Sequence, residues 1–148
     1  MHRAIVLQET APLESIELLG GLINVMSDTQ RGDEQSVTVQ ESSGAGFGPP
    51  PHSHPWSETF YVISGAVDFM LNEDGYHCGA GAMVYVPAEQ VHAFQSCAEG
   101  VRMIEFTGPG SQALDLFRSL SAFLKQASPD ELDKVRSIFS QHGATLHI

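Results

Sequence analysis

Basic residues are scarce in this sequence. Its 148 residues include seven Lys and Arg against 18 Asp and Glu, which gives a formal net charge of −11. Nucleic-acid phosphates are bound by a basic surface, and an anionic membrane surface also requires one. The composition therefore argues against a nucleic-acid partner and against a membrane-surface partner.

Long apolar runs and cysteines are also few. No apolar run approaches the roughly 18 residues that span a bilayer. The N-terminal apolar stretch, Ala4–Leu7, is too short for a secretory signal. Two cysteines, Cys78 and Cys97, are too few for a disulfide framework, and we expect both to be reduced thiols. These absences predict a cytoplasmic protein without a membrane segment.

The first part of the chain, residues 1–107, has the pattern of many short strands. Apolar runs at 37–39, 61–64, 66–71, 83–86, 91–94 and 101–106 are separated by Gly, Pro, Asn and Asp. No helical pattern lies between these runs. The spacing predicts an all-β antiparallel sandwich or barrel within a single domain.

The remaining part, residues 108–148, has a helical pattern. Apolar residues recur at helical spacing at Ala113, Leu116, Phe117, Leu120, Phe123, Leu124 and Ala127. A second helix is predicted to start at Ser128, with Pro129 at its first position, Glu131 completing a capping box, and Gly143 ending it. We expect both helices to pack on the outside of the barrel or against a partner subunit.

The segment Gly46–Gly65 contains a candidate metal-binding set. In an extended chain alternate side chains share a face, so His52, His54 and Glu58 can point the same way, and Phe60 continues the same parity. Two imidazoles and a carboxylate form a facial ligand set for a divalent transition metal. The alternative is that the two histidines are a polar pair on a surface loop.

A second segment, Gly81–Phe94, supplies a further candidate ligand. Pro87 cannot donate to a sheet ladder, so it closes one strand and turns the chain back. His92 then begins a neighbouring strand, from which it can reach the first three side chains. Taken alone, a histidine such as His92 is more often an ordinary residue at a strand end.

Together these two segments resemble the motifs of the cupin family. The first motif is matched at Gly46, His52, His54, Glu58 and Gly65, and the second at Gly81, Pro87 and His92. The sequence departs from the family at Glu89, where glycine is usual, and at Ser96, where asparagine is frequent. Only one motif pair is present, so the chain resembles a single-domain cupin.

The resemblance implies a small jelly-roll barrel, a double-stranded antiparallel β-helix, with a metal in its mouth. The implied ligands are His52, His54, Glu58 and His92, holding one divalent transition metal: Fe, Mn, Ni, Cu or Zn. A cupin that keeps these residues but holds no metal, or uses it only structurally, is the alternative.

Other residues are candidates for a substrate pocket. A pocket for an apolar or aromatic small molecule can be lined by Phe60, Met70, Phe94 and Phe106. The alternative for each of these four is a plain core position. Trp56 fits either the rim of the cavity or a packing role. We expect Glu105 to point outward into solvent, since an unpaired buried carboxylate is costly; an inward Glu105 would be a candidate proton relay.

Three functions are compatible with this site. The first is a metal-dependent dioxygenase for a phenolic or enolic small molecule, similar to small quercetinase-like cupins, with Glu58 also acting as the catalytic base. The second is an isomerase, cyclase or lyase that uses the metal as a Lewis acid without redox chemistry. The third is a non-enzymatic metal-containing module that binds a small molecule.

We also expect a homodimer. Barrels of this size commonly present an apolar sheet face, or a swapped N-terminal strand, to a second copy.

Overall fold

The computed structural model describes residues 4–8, 10–127 and 131–148. Most of these residues form strands, and two α-helices follow near the C-terminus. The strands are β1 (Glu14–Leu18), β2 (Gly21–Ser27), β3 (Ser36–Ser42), β4 (His52–Ser53), β5 (Glu58–Leu71), β6 (Asp74–Gly79), β7 (Met83–Val86), β8 (His92–Thr107) and β9 (Thr145–Leu146). The helices are α1 (Ala113–Leu124) and α2 (Leu132–Gln141), and a short 3-10 helix covers Thr29–Arg31.

All strand pairs are antiparallel, and they form one strongly curled sheet. In the order β1-β2-β3-β8-β4-β9 each strand pairs with the next, while β5 pairs with β6, β7 and β8. The two long strands β5 and β8 pair along most of their length and form the centre of the barrel. The prediction of an all-β barrel followed by two helices is confirmed.

The barrel interior is apolar along both central strands. Its most deeply buried side chains include Phe60, Val62, Val67, Phe69 and Met103. β-branched and aromatic residues pack well on a pleated, half-buried surface, which explains why these segments form strands. Burial of this interior stabilises the part of the barrel that positions the candidate site.

Gly65 and Gly100 do not end strands as the punctuation pattern predicted. Both lie inside continuous strands, β5 and β8, and both adopt left-handed backbone conformations, with φ values of 75° and 76°. The β5–β8 register is irregular on both sides of Gly65, between Val62 and Ser64 and between Gly65 and Val67. An irregularity of this kind bends a strand and changes which side chains face inward.

Replacing Gly65 with alanine is expected to destabilise the barrel. A Cβ atom at Gly65 would lie 2.1 Å from the carbonyl oxygen of Gly100, in a backbone conformation that favours glycine. We expect the free energy of unfolding to fall by about 3 kcal/mol, measured by urea denaturation. Gly75→Ala is the control, because a Cβ there meets nothing within 4 Å. Equal stability of the two variants would contradict the prediction.

Helix α1 is fixed to the barrel by one arginine. Arg118 donates hydrogen bonds to Glu14 at 2.9 Å, to Asp28 at 2.8 Å and to Asp115 at 2.9 Å. The Ser121 hydroxyl adds a bond of 2.7 Å to the carbonyl oxygen of Glu17. These contacts hold α1 against β1, so that its apolar face covers the interior of the barrel.

Helix α2 covers Leu132–Gln141 in the described part of the chain. Its first residue is Leu132, and the predicted start at Ser128 and Pro129 lies outside the described residues. After α2 the chain returns to the barrel, where β9 pairs with the short strand β4. In the described part of the chain, neither helix has the length and apolar character needed to cross a membrane.

Candidate metal centre

Four side chains from three places in the sequence meet at one end of the barrel. His52 lies on β4, His54 follows it, Glu58 begins β5 and His92 begins β8. The register pairs His52 directly with His92. One ligand atom from each of these four side chains lies within 4.8 Å of the others. The structure thus brings together the four metal ligands that the sequence predicted, all of them buried.

The three imidazole rings are held in the same way. The Nδ1 atoms lie 2.9 Å from the carbonyl oxygen of Pro50 for His52, 2.7 Å from that of Trp56 for His54, and 2.8 Å from that of Gln90 for His92. A carbonyl oxygen can only accept, so each Nδ1 carries the hydrogen. Each Nε2 therefore keeps its lone pair available for a metal ion.

Glu58 completes the donor set. Its Oε1 lies 2.6 Å from Nε2 of His92 and 3.5 Å from Nε2 of His54. In the part of the chain that the structure describes, Nε2 of His92 has no hydrogen-bond partner. Two lone pairs this close repel each other unless a positive charge, either a proton on Nε2 of His92 or a metal ion, takes part in the contact. A divalent cation supplies that charge, so the residues present fit a metal ion coordinated by three nitrogens and one oxygen.

The electrostatics of the site favour a neutral ring at His52 and an ionised carboxylate at Glu58, but they favour the protonated ring at His92. Burial, together with neighbouring His92, lowers the pKa of His52 to about 4. Burial opposes ionisation of Glu58, but the ring nitrogens of His54 and His92 outweigh it and lower the pKa of this carboxyl to about 2. Burial also lowers the pKa of His92, yet the Glu58 carboxylate raises it by more. Of His52 and His92, it is therefore His92 that keeps a proton to higher pH in the metal-free protein.

Acidification is expected to release the metal. Protons compete with the metal for imidazole, first at His92, whose pKa is raised, and below about pH 4 also at His52. Each competing proton lowers the apparent affinity by about tenfold per pH unit. Titrations with Ni²⁺ between pH 8 and pH 4 measure this, with the fluorescence of Trp56 as the signal. An affinity that is constant across this range would contradict the prediction.

Trp56 is well placed for such a measurement. Its ring stacks on His54, with centroids 4.2 Å apart and ring planes within 4° of parallel. It is the only tryptophan in the chain. The two roles expected from the sequence therefore coexist, because Trp56 is buried, packs on a ligand and also lines the pocket.

An apolar pocket adjoins the four ligands. Phe60 and Phe94 line it, as the sequence predicted, together with Phe47, which packs edge-on against Phe94. The two C-terminal helices close it from the side with Ala113, Leu116, Phe117, Leu120 and Phe139. The helical stripe was visible in the sequence, but nothing in its pattern showed that it would cover the mouth of the barrel.

Met70 and Phe106 lie outside this pocket, which corrects the sequence-based prediction. Met70 is half-buried on the opposite face of β5 from the inward-facing Phe69. Phe106 is 36% exposed on the outer face of β8. The irregularities near Gly65 and Gly100 change which alternate residues of β5 and β8 face inward. Counting every second residue from the candidate ligands therefore gives the wrong face for residues past these two glycines.

Glu105 points inward, against the expectation that it faces solvent. The same parity shift places it in the pocket wall with only 3% of its surface exposed. Its Oε2 accepts a hydrogen bond from the side-chain amide of Gln40, which is buried as well. Burial, with the charge of Glu58 added, raises the pKa of Glu105 well above its usual range. The pocket therefore contains a second buried carboxyl group, and its surroundings favour the protonated form.

The two departures from the cupin motif are accommodated locally. Glu89 adopts a left-handed conformation, with φ of 68°, where glycine would be unstrained. Its backbone N–H donates to the carbonyl oxygen of His54 at 2.7 Å, which ties the turn to a ligand. Ser96 accepts from the backbone N–H of Phe47 at 2.9 Å and donates to the carbonyl oxygen of Gly44 at 2.7 Å.

Comparison with known proteins agrees with this fold and site. The family model described as the cupin domain matches residues 39–106, the segment that contains all four ligands. No curated protein matches the sequence. The chain is therefore similar to the cupin domain over residues 39–106, and its fold is that of a cupin barrel followed by two helices.

Several solved structures share the fold at low sequence identity. The polyketide cyclase RemF from Streptomyces resistomycificus is 21% identical, with a TM-score of 0.62 over 72% of this chain and 80% of that chain. KdgF from a Halomonas species is 15% identical, with a TM-score of 0.57 over 65% of this chain and 86% of that one. An RmlC-like cupin from Shewanella frigidimarina is 18% identical, with a TM-score of 0.57 over 65% and 83%.

Proposed function

We propose that this protein is a metal-dependent enzyme that moves protons on an apolar, enolisable small molecule, as a cyclase, isomerase or lyase does. The observation that carries the proposal is the placement of Glu105. A buried carboxyl group that is not a metal ligand shares an apolar pocket with the four-residue donor set. A carboxyl group of this kind is suited to general acid–base catalysis.

The donor set fits one divalent transition metal. His52, His54, Glu58 and His92 supply three imidazole nitrogens and one carboxylate oxygen, a set that Fe, Mn, Ni, Cu and Zn all accept. When bound, such an ion would polarise a carbonyl or enolate oxygen of the substrate. The four ligands would also fix where that oxygen lies in the pocket.

Glu105 would hold the proton that the reaction moves. Oε2 is occupied by the Gln40 amide, which leaves Oε1 as the oxygen that carries the proton toward the pocket. Gln40 is itself oriented, because its amide also donates to the Thr38 hydroxyl at 3.1 Å. This pair of contacts holds the acid in one orientation, which proton transfer requires.

The pocket wall selects an apolar substrate. Aromatic rings from β5, β8 and α2, among them Phe60, Phe94 and Phe139, surround the space beside the ligands. Such a lining excludes water and stabilises a flat or aromatic ligand by burial of apolar surface. The similarity to the polyketide cyclase RemF is a likeness of fold, and it is compatible with this class of substrate.

A dioxygenase for a phenolic or enolic substrate is the second candidate. Nitrogen and oxygen ligands accept redox-active metals as readily as zinc, so the donor set is also compatible with oxygen chemistry. The two functions differ in whether oxygen is consumed. In the dioxygenase, Glu58 would be both ligand and base.

Isotope exchange in the metal-loaded protein tests the proposal. Aromatic β-diketones are incubated with the protein in D2O, and NMR follows deuterium entry at the acidic carbon while an electrode records oxygen. We expect catalysed exchange without oxygen uptake, and the exchange should be lost in Glu105→Gln. Oxygen uptake coupled to substrate loss would favour the dioxygenase. Tight binding with neither reaction would favour a binding module.

We further propose that two copies associate through the outer face of the sheet. Four large exposed side chains lie on neighbouring strands there: Tyr61, Met83, Tyr85 and Phe106, each at least 36% exposed. Tyr61 pairs with Met83, while Tyr85 and Phe106 both pair with Thr59. A contiguous apolar patch of this kind is typical of an interaction surface, and a second copy offers the same patch in return.

Met83→Lys is expected to convert the dimer into a monomer. A charge within the patch would have to be desolvated on association. Light scattering should then give 16.0 kDa, the mass of one chain, instead of twice that mass. Tyr76→Lys is the control, since Tyr76 is 50% exposed but lies on β6, away from the patch. A wild-type protein of monomer mass at micromolar concentration would contradict the proposal.

A further inference from the structure

Three potential metal ligands also converge on the outside of the barrel, away from the candidate site. Asp68, His77 and Cys97 each offer one ligand atom, and these atoms lie within 4.8 Å of one another. Nδ1 of His77 is 2.6 Å from Oδ1 of Asp68 and 3.9 Å from Sγ of Cys97. Asp68 and His77 are largely exposed, and Cys97 is half-buried.

The sheet register brings these three side chains together. Asp68 on β5 pairs with His77 on β6 and, on its other side, with Gln95 on β8. Cys97 lies two residues beyond Gln95 on the same strand, and alternate residues of a strand share a face. The three ligands thus come from three adjacent strands on the outer face of the barrel.

The arrangement does not suit a nucleophilic cysteine. A histidine activates a thiol when one ring nitrogen contacts the sulfur and the other ring nitrogen contacts the carboxylate. Here the carboxylate and the sulfur both approach Nδ1 of His77. Burial, the Asp68 carboxylate and Glu99 also raise the pKa of the Cys97 thiol, the opposite of activation.

Three donors directed at one point instead fit a cation. We propose that Asp68, His77 and Cys97 form a second metal site, which binds a divalent ion with affinity for sulfur, such as Zn²⁺, through Oδ1, Nδ1 and Sγ. On binding, Cys97 loses its thiol proton to solvent. The ring of His77 changes tautomer by exchange with solvent, so that its hydrogen lies on Nε2 and Nδ1 donates its lone pair to the metal. Two negative ligands and one neutral ligand then balance the charge of the ion.

The distances require only a small adjustment. Ligand bonds of about 2.0–2.3 Å in a tetrahedral site place neighbouring ligand atoms about 3.3–3.6 Å apart. The N···S separation of 3.9 Å is close to that range, and the N···O separation of 2.6 Å would have to open. Exposed side chains can make this change by small rotations. The fourth position faces solvent, so water can occupy it.

Cobalt spectroscopy tests this site separately from the buried one. Co²⁺ bound to a thiolate shows a sulfur-to-metal charge-transfer band in the near ultraviolet, and the buried donor set contains no sulfur. Fully reduced full-length protein is titrated with Co²⁺ beyond one equivalent. We expect the band to develop with the second equivalent and to persist in His54→Ala, which affects only the buried site.

Variants of the outer site identify the ligands. Cys97→Ala should abolish the band, and His77→Ala should weaken Co²⁺ binding at this site by roughly tenfold or more. Cys78→Ala is the matched control, because Cys78 is buried and is not part of the cluster. A band that survives Cys97→Ala, or a wild-type protein that shows no band with excess Co²⁺, would overturn the proposal. Neither result bears on the proposed enzymatic function.

Discussion

Replacement of His54 by alanine is expected to lower the affinity for a divalent metal by on the order of a hundredfold or more. Disturbing residues that only orient metal ligands costs 10–100-fold, so loss of a ligand itself should cost at least as much. The His54 ring also packs against Trp56, and its Nδ1 is fixed by the Trp56 carbonyl oxygen at 2.7 Å. Removing the ring leaves three of the four donors.

Isothermal titration with Ni²⁺ measures this change, and the melting temperature reports whether the variant is folded. His142→Ala is the matched control, because His142 lies at the end of α2 outside the donor set. It should bind one metal ion at the buried site with unchanged affinity. If His54→Ala kept the wild-type affinity at that site, the four-ligand centre would be wrong, and the proposed enzymatic function with it.

Glu105→Gln is expected to reduce turnover by about 10²–10⁴-fold, the contribution usual for a general acid or base. The amide has nearly the same shape as the carboxyl group, so the pocket should keep its form. Metal affinity should stay within about threefold, because Glu105 is not one of the four converging ligands. The measurement is kcat for deuterium exchange, with metal content determined on the same sample.

Two further variants show which carboxyl group transfers the proton. Glu99→Gln changes an exposed glutamate on the same strand and should leave turnover unchanged. Glu58→Gln removes a negative ligand, so we expect a loss of metal affinity together with activity. If Glu58→Gln instead retained metal but lost turnover while Glu105→Gln remained active, Glu58 would be the proton acceptor, and the role proposed for Glu105 would be wrong.

The four candidate ligands could be predicted to converge because they fall at the positions of two short sequence motifs. His52, His54 and Glu58 lie within seven residues. They are not on one strand, because residues 54–57 separate β4 from β5, so the single-strand alternation expected from the sequence is not what brings them together. The sequence predicted a strand that ends before Pro87 and a later strand that begins at His92, and β7 and β8 do this. The two strands do not pair with each other as expected, because each pairs with a different edge of β5. The motif spacing was therefore sufficient to predict this set of residues, although the alternation argument was not.

The composition of the pocket wall could not be predicted in the same way. Phe139 and Leu116 reach the pocket only because α1 and α2 fold back over the end of the barrel. Gln40, the partner of Glu105, is 65 residues away from it in sequence. Contacts across such separations depend on strand order and helix docking, which local patterns do not specify.

The amino-acid sequence by itself determined the all-β fold, the helical C-terminal part and the four converging ligands, because each depends on short-range spacing. Only the tertiary structure decided which side chains of the long strands face the pocket. The irregular pairing near Gly65 and Gly100 changes the inward parity of β5 and β8, which moves Met70 and Phe106 outward and Glu105 inward. Side chains alternate strictly along a regular strand, so a single extra residue reverses every assignment beyond it.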